Sequence, residues 1–198
     1  VNEGKAENFQ SGGVPRLNIG RLEVSDGPVG VRTFDQTPAT ALASTLSLSC
    51  TWDVEAGRDY GRLSAEEMLA LRKHVLFGPG VNLMRSPLGA RNFEYMGEDP
   101  FLCGSLTVAY VRGVQELGVA ASVKHLVAND CDSRRHFTSS NMDDRTLREM
   151  HLLPFEMAIR DGHVWTMMSA NNLLNGAHCA ENRRLLQGLM KDELGFDG

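Results

Sequence analysis

No apolar run in this chain approaches the roughly 18 to 20 residues that a membrane-spanning helix needs. The opening VNEGKAENFQSGG has neither a basic region nor an apolar core, so it reads as neither a signal peptide nor an anchor. The first residue is Val1 rather than Met, which leaves room for a segment removed upstream. Cysteine is sparse: Cys50, Cys103, Cys131 and Cys179 are far apart and make no CxxC pair. Free thiols in a reducing, cytoplasmic compartment are the expectation. His74, His125, His136, His151, His163 and His178 form neither HxH nor HExxH, so no metal site is expected and a metal-dependent hydrolase ranks last among the readings. A basic stripe is missing too. With a net charge of −5 and a pI near 5.7, the chain lacks the footprint of a phosphate-backbone binder, and no nucleic-acid partner is expected. Neither GxGxxG nor a P-loop occurs, and there is no internal repeat, low-complexity tract or linker.

What is present alternates in period. Leu22 to Ser25 reads as strand, 54–73 as helix, His74 to Phe77 as strand, 99–117 as helix and 120–127 as strand. Residues 143–160 then read as helix, 164–169 as strand and 181–194 as helix, with Gly195 as the stop. The second helix is the best marked. Asp99 caps it, Pro100 suits its first turn, Gly118 ends it, and Leu102, Leu106, Tyr110, Val114 and Leu117 form a stripe at helical spacing. Pro154 falls inside the third helical pattern and is expected to kink or split it. Strand and helix in strict alternation imply parallel strands with helical crossovers.

Charge collects where those strands end. Ser25-Asp26-Gly27-Pro28-Val29-Gly30-Val31-Arg32 follows the first. SPLGARNFEYMGEDP at 86–100 follows the second, and Lys124 and His125 close the third, with Asn129, Asp130, Arg134, Arg135 and His136 just after. In a (β/α)8 barrel all such exits converge on one face, whereas an open nucleotide-binding sheet concentrates its signal in a glycine-rich first turn. The distribution favours an α/β chain of the TIM-type barrel class. About five strands can be counted, and a full barrel takes about 250 residues. Residues 1–198 therefore read as one barrel domain, incomplete at its C-terminus.

One at a time, these residues have ordinary readings. Asp26 before Gly27-Pro28 is a turn residue, Lys124 and His125 can be exposed where a strand ends, Arg135 is one of two adjacent arginines, and Met168 is core packing. Glu94, Glu98 and Asp99 are assigned to loop ion pairs and a helix cap, and Asp143 and Asp144 to the cap of the following helix.

Taken together, six segments in order resemble the N-terminal barrel domain of glycoside hydrolase family 3: SDGPVGVR (25–32), GPGVNLMRSPLGARNFEYMGEDP (78–100), VKHLVAND (123–130), DDRTLREMHLLPFEMAIRDG (143–162), TMMSANN (166–172) and the closing ENRRLL with GFDG. The match runs from about Pro15 onward. LVANDCDSRRH lacks the PGHG-type loop of the N-acetylglucosaminidase branch, so the β-glucosidase branch is implied. The resemblance implies substrate-binding roles for Asp26, Arg91, Lys124, His125, Arg135 and Met168, with Arg32 orienting Asp26 from behind. It implies no metal or organic cofactor. It places the nucleophilic Asp shortly beyond Gly198 and the acid/base in a later domain, so no catalytic carboxylate is expected within 1–198. Asn171 stands where the family has Tyr, Leu126 replaces Phe, and Cys131-Asp132 replaces a Gln-Glu-like pair; these departures bear on fine substrate preference.

The implied function is a portion of a retaining, exo-acting β-glucosidase-like hydrolase acting on terminal β-D-glucosyl residues of a β-glucoside or short oligosaccharide. The alternative is a non-catalytic sugar-binding or structural fragment. Leu185, Leu186, Leu189 and Met190 give the last helix a face that must be covered, so the expected partners are the remainder of the same enzyme or a second copy of the chain.

Overall fold

The computed structural model describes residues 10–33 and 37–198. The reading of the N-terminus rests mainly on residues 1–9, which lie outside the described residues. In chain order the elements are β1 (Val24–Asp26), α1 (Thr45–Ser49), α2 (Val54–Ala70), β2 (Val75–Phe77), α3 (Pro100–Gln115), β3 (Ala120–Leu126), β4 (Ser139–Ser140), α4 (Asp144–Thr146), α5 (Leu153–Arg160), β5 (Thr166–Ser169), β6 (Leu173–Leu174) and β7 (Ala177–His178).

Among the described residues, strands β1, β2, β3 and β5 form one parallel sheet in that order; they are the four stretches read as strand from the sequence, against its count of about five. Each crossover moves to the neighbouring position, the winding of a barrel wall rather than of a sheet that reverses direction at its middle. The register aligns Asp26 with Phe77 and Lys124 with Met168, and it shifts between Lys124 and Leu126. Pairing partners share a face, so these alignments decide which side chains meet. Strand β3 is the most enclosed, buried from Ala121 onward, as a central parallel strand covered on both faces must be. Strands β4, β6 and β7 pair separately in a small sheet beside the exits of β3 and β5.

Helices α2 and α3 pack closely because glycine lines their contact. A Cβ on Gly61 would stand 2.2 Å from the Tyr110 carbonyl oxygen, and one on Gly113 would stand 2.1 Å from that of Arg58. The stripe on α3 lies where the sequence puts it: Leu106, Tyr110 and Val114 are fully buried, and Leu102 and Leu117 pack against the core. Asp99 caps the helix by accepting from the Leu102 N–H at 2.6 Å. Asp143 caps α4 through the Thr146 N–H at 2.8 Å, while Asp144 pairs with Arg184. Between α4 and α5 the helix widens into a π-helical stretch over Leu147–Leu152. Pro154 offers no N–H, and its ring crowds the preceding turn, so the loosened winding takes up the mismatch just before it. The final helix, Arg184–Glu193, also winds as a π-helix. It ends before Gly195, whose φ of +71° suits glycine.

Candidate functional site

The first turn after β1 is built around Asp26. Its carbonyl accepts the Arg32 N–H at 2.8 Å, and the Ser25 hydroxyl donates to the Arg32 carbonyl at 2.5 Å, closing the SDGPVGVR loop back on the strand end. Gly27 permits this closure, since a Cβ there would stand 2.7 Å from the Gly30 carbonyl oxygen. The Asp26 carboxylate accepts the Gly27 N–H at 3.2 Å and a bond from the Lys124 ammonium, on the third strand. Arg32 thus supports Asp26 through its main chain, and its residue lies exposed.

The second exit makes the densest cluster. A 3-10 turn over Asn92–Glu94 follows Arg91, so Arg91 and Glu94 fall three residues apart on one face and pair through Nε and Oε1. Glu94 Oε2 lies 3.3 Å from Lys124 Nζ, and both side chains are only 2 % exposed. Asp26, Lys124, Glu94 and Arg91 therefore form one continuous ionic chain across the first three strand exits. Asp26 and Arg91 hold its more open ends. Gly80 makes room for it: a Cβ there would meet the Glu94 carbonyl oxygen at 2.5 Å.

Beside this chain sits His125. Asn82 clamps its main chain, accepting from the His125 N–H at 3.0 Å and donating to its carbonyl at 2.9 Å. That orientation turns Asn82 Oδ1 toward His125 Nδ1 at 3.2 Å, so Nδ1 carries the hydrogen and Nε2 is left as an acceptor. Tyr95 closes the same network, its hydroxyl 3.3 Å from Nδ1, donating to the Asn129 carbonyl at 3.2 Å and accepting from the Asn129 amide at 3.1 Å. Burial, followed by the charges of Arg91, Lys124 and Arg135, pushes the imidazole down to about 2. His125 is thus a neutral group, not one of two adjacent cations as the bare sequence suggests.

Arg135 lies on the loop after β3, pairs with Asp132 at 3.2 Å, and is close enough for its charge to be felt at His125. Met168 lies on β5 beside Lys124 in register and is half-buried. Asn171 follows on the exposed side of the chain, while Asn172 is buried and donates to the Val127 carbonyl at 3.1 Å. The structure thus gathers Asp26, Arg91, Lys124 and His125 tightly, with Arg135 and Met168 at the border. Sequence reasoning placed Glu94 in a loop ion pair; it is the buried centre of the cluster. The available signal was its spacing three residues after Arg91.

The assembly offers acceptors (Asp26, His125 Nε2) interleaved with fixed donors (Lys124, Arg91, Arg135), the complement of a ligand rich in hydroxyls, each of which both donates and accepts. Asp26 and Glu94 share Lys124, and Asp26 is the more open of the two.

The sequence profile of the glycosyl hydrolase family 3 N-terminal domain matches residues 17–198. The chain belongs to this family. Glycosyl hydrolase family 3 membership accounts for the parallel winding, which is the first part of a (β/α)8 barrel. Among curated family members, the chain is 42% identical over 193 residues to a probable beta-glucosidase I of Neosartorya fischeri and 43% identical over 188 residues to a probable beta-glucosidase K of Emericella nidulans. These matches cover 96% and 93% of this chain but 23% and 22% of the relatives, so the chain spans about a quarter of their length. Among solved family structures it is similar to a family 3 beta-glucosidase from Bifidobacterium adolescentis, with TM-score 0.93, 39% identity, and coverage of 98% of this chain and 28% of that one. It is also similar to beta-glucosidase 3B from Thermotoga neapolitana in complex with glucose, with TM-score 0.91, 37% identity, and coverage of 96% and 27%.

Proposed function

We propose that this chain carries the sugar-gripping part of a retaining, exo-acting β-glucosidase-like hydrolase that releases terminal β-D-glucosyl residues from a β-glucoside or short oligosaccharide. The observation that carries the reading is the ionic chain Asp26–Lys124–Glu94–Arg91, which fixes an acceptor and two donors at consecutive strand exits. A terminal sugar presents neighbouring hydroxyls to such a row. Asp26 takes two of them, Lys124 and Arg91 donate to their oxygens, His125 Nε2 accepts, and Arg135 and Met168 border the ring. The similar Thermotoga neapolitana enzyme, solved in complex with glucose, supports a sugar as ligand.

Cleavage with retention needs a nucleophilic carboxylate and an acid/base about 5–5.5 Å apart. In this reading the pair comes from beyond Gly198, as the family resemblance implies, and the rest of the same enzyme is the chain's partner. A reducing, cytoplasmic setting is part of the same reading, supported by four free thiols.

The test uses the full-length enzyme with an aryl β-D-glucoside, following the product anomer by proton NMR. Release of β-glucose first, with competitive inhibition by glucose, is the expected result. No hydrolysis, or initial release of the α-anomer, overturns it.

A further inference from the structure

Glu94 and Lys124 are the most deeply placed charges of the cluster, yet nothing in the sugar-binding reading requires Glu94 to touch the ligand. Its two oxygens serve two different cations, Arg91 through Oε1 and Lys124 through Oε2. Lys124 is 2 % exposed and needs a fixed counter-charge on its inner side, because an ammonium withdrawn from water is costly unless it is paired. Asp26 is the other anion on Lys124, but its side chain is 29 % exposed and stands toward the ligand side. Among these described side chains the charges cancel, Asp26 and Glu94 against Lys124 and Arg91, Asp132 against Arg135, with His125 neutral; the catalytic carboxylates of the reading above add negative charge to that sum.

We propose that Glu94 is a positioning and specificity-determining residue, which fixes Lys124 and Arg91 for the ligand and, by neutralising one of them, makes the pocket prefer neutral sugars over acidic ones. The inference rests on the sugar-binding reading above and adds the substrate class that the site rejects. With Glu94 in place, a uronic acid brings a negative charge into a site with no positive charge left over to meet it. Without its charge, the pocket is one unit more positive within a few ångströms of the ligand, and the preference moves toward the acid. Glutamine is nearly isosteric but has one acceptor and one donor end, so it can satisfy one of the two cations and not both.

The experiment compares competitive inhibition by glucose and by glucuronate in the full-length parent enzyme and in Glu94→Gln, with thermal midpoints as a check on folding. In Glu94→Gln, glucose inhibition is expected to weaken, and the ratio of the glucose to the glucuronate inhibition constant to shift toward glucuronate by about 10-fold, the scale of one charge at partly screened short range. A folded variant that weakens both inhibitors equally overturns the inference and leaves the sugar pocket standing. A parent enzyme that glucose does not inhibit overturns the sugar pocket and this inference with it. Should Glu94→Gln fail to fold, Glu94→Asp decides: it keeps the charge but withdraws it from the cations. It is expected to raise KM for the glucoside while holding the parental glucose-to-glucuronate ratio; an unchanged KM or a shifted ratio overturns the inference.

Discussion

His151 Nδ1 stands 3.3 Å from Asp130 Oδ2, with the two side chains 2 % and 12 % exposed and the second Asp130 oxygen buried without a hydrogen-bond partner among the described residues. Burial pushes Asp130 up to about 6, against the positive charge of Arg85, and pushes His151 down to about 4, with Arg85 adding to the effect. Around pH 5 the pair is therefore a protonated acid beside a neutral imidazole.

The two groups load stability in opposite directions. Asp130 binds its proton more tightly when folded, so its contribution is complete below about 4 and is lost as pH rises through 6. His151 resists protonation when folded, so its contribution is complete above about 6.5 and is lost as pH falls through 4. Asp130→Asn removes the first and leaves the second. Relative to the parent, the variant is expected to be more stable at pH 8 than at pH 4.5, by an amount on the order of 3 kcal/mol at most. Thermal midpoints from pH 4 to 8 measure it, and a constant offset between the two curves would contradict it.

Asp26→Ala removes the acceptor that Lys124 and the Gly27 N–H hold in place. Bonds from hydroxyls to a charged carboxylate contribute about 1.5–3 kcal/mol each, so kcat/KM for an aryl β-glucoside is expected to fall at least about 10-fold in the full-length enzyme. Unchanged hydrolysis would take Asp26 out of the site.

Gly61→Ala and Gly113→Ala test the α2–α3 contact. The obstructing atoms are backbone carbonyl oxygens, which cannot rotate away, so each change forces the helices apart. A loss of about 1–3 kcal/mol or more is expected, as for other overpacked interiors. Gly188→Ala, with nothing within 4 Å of the new methyl, serves as the control. Equal denaturation midpoints for Gly61→Ala and the control would refute the close packing.

Differential alkylation reads the thiols. Cys50 and Cys131 are exposed, while Cys103 is buried with its thiol pushed up to about 12, and Cys179 is buried and also raised. Iodoacetamide at pH 8 is expected to label the first two in the native protein and all four only after denaturation. Early labelling of Cys103, located by mass spectrometry, would be incompatible with the fold.

The alternation of strand and helix was readable because each long element carries its own signal, most fully α3 with its cap, proline, stripe and terminal glycine. Boundaries drifted by one to three residues, as at β1, where the strand includes Asp26 rather than starting at Leu22. Helix α1 has five residues and β4, β6 and β7 have two each, too few for any period to show. The site was legible as charges at strand exits, but its wiring was not. Lys124 meets Asp26 across 98 residues of chain, and nothing local to either residue announces the other. The neutrality of His125 likewise comes from burial and from the charges of Arg91 and Arg135, brought to it by folding, together with that of its neighbour Lys124.

The brevity of β1 also limits how this region can vary in length. Asp26 is the last of three residues aligned one to one with Val75, Leu76 and Phe77. A single residue inserted within 24–26 would turn the carboxylate to the opposite face and bring Ser25 or its substitute to the pocket. Insertions a dozen residues later, in the connection over 37–43, leave the strand register untouched and add the slowly growing entropy of a longer loop, beside any loss of the bonds that Thr40 and Leu42 make there to Glu67 and Val29. Relatives that differ in length here are therefore expected to place their gaps after the arginine of SDGPVGVR and never inside the strand that precedes it.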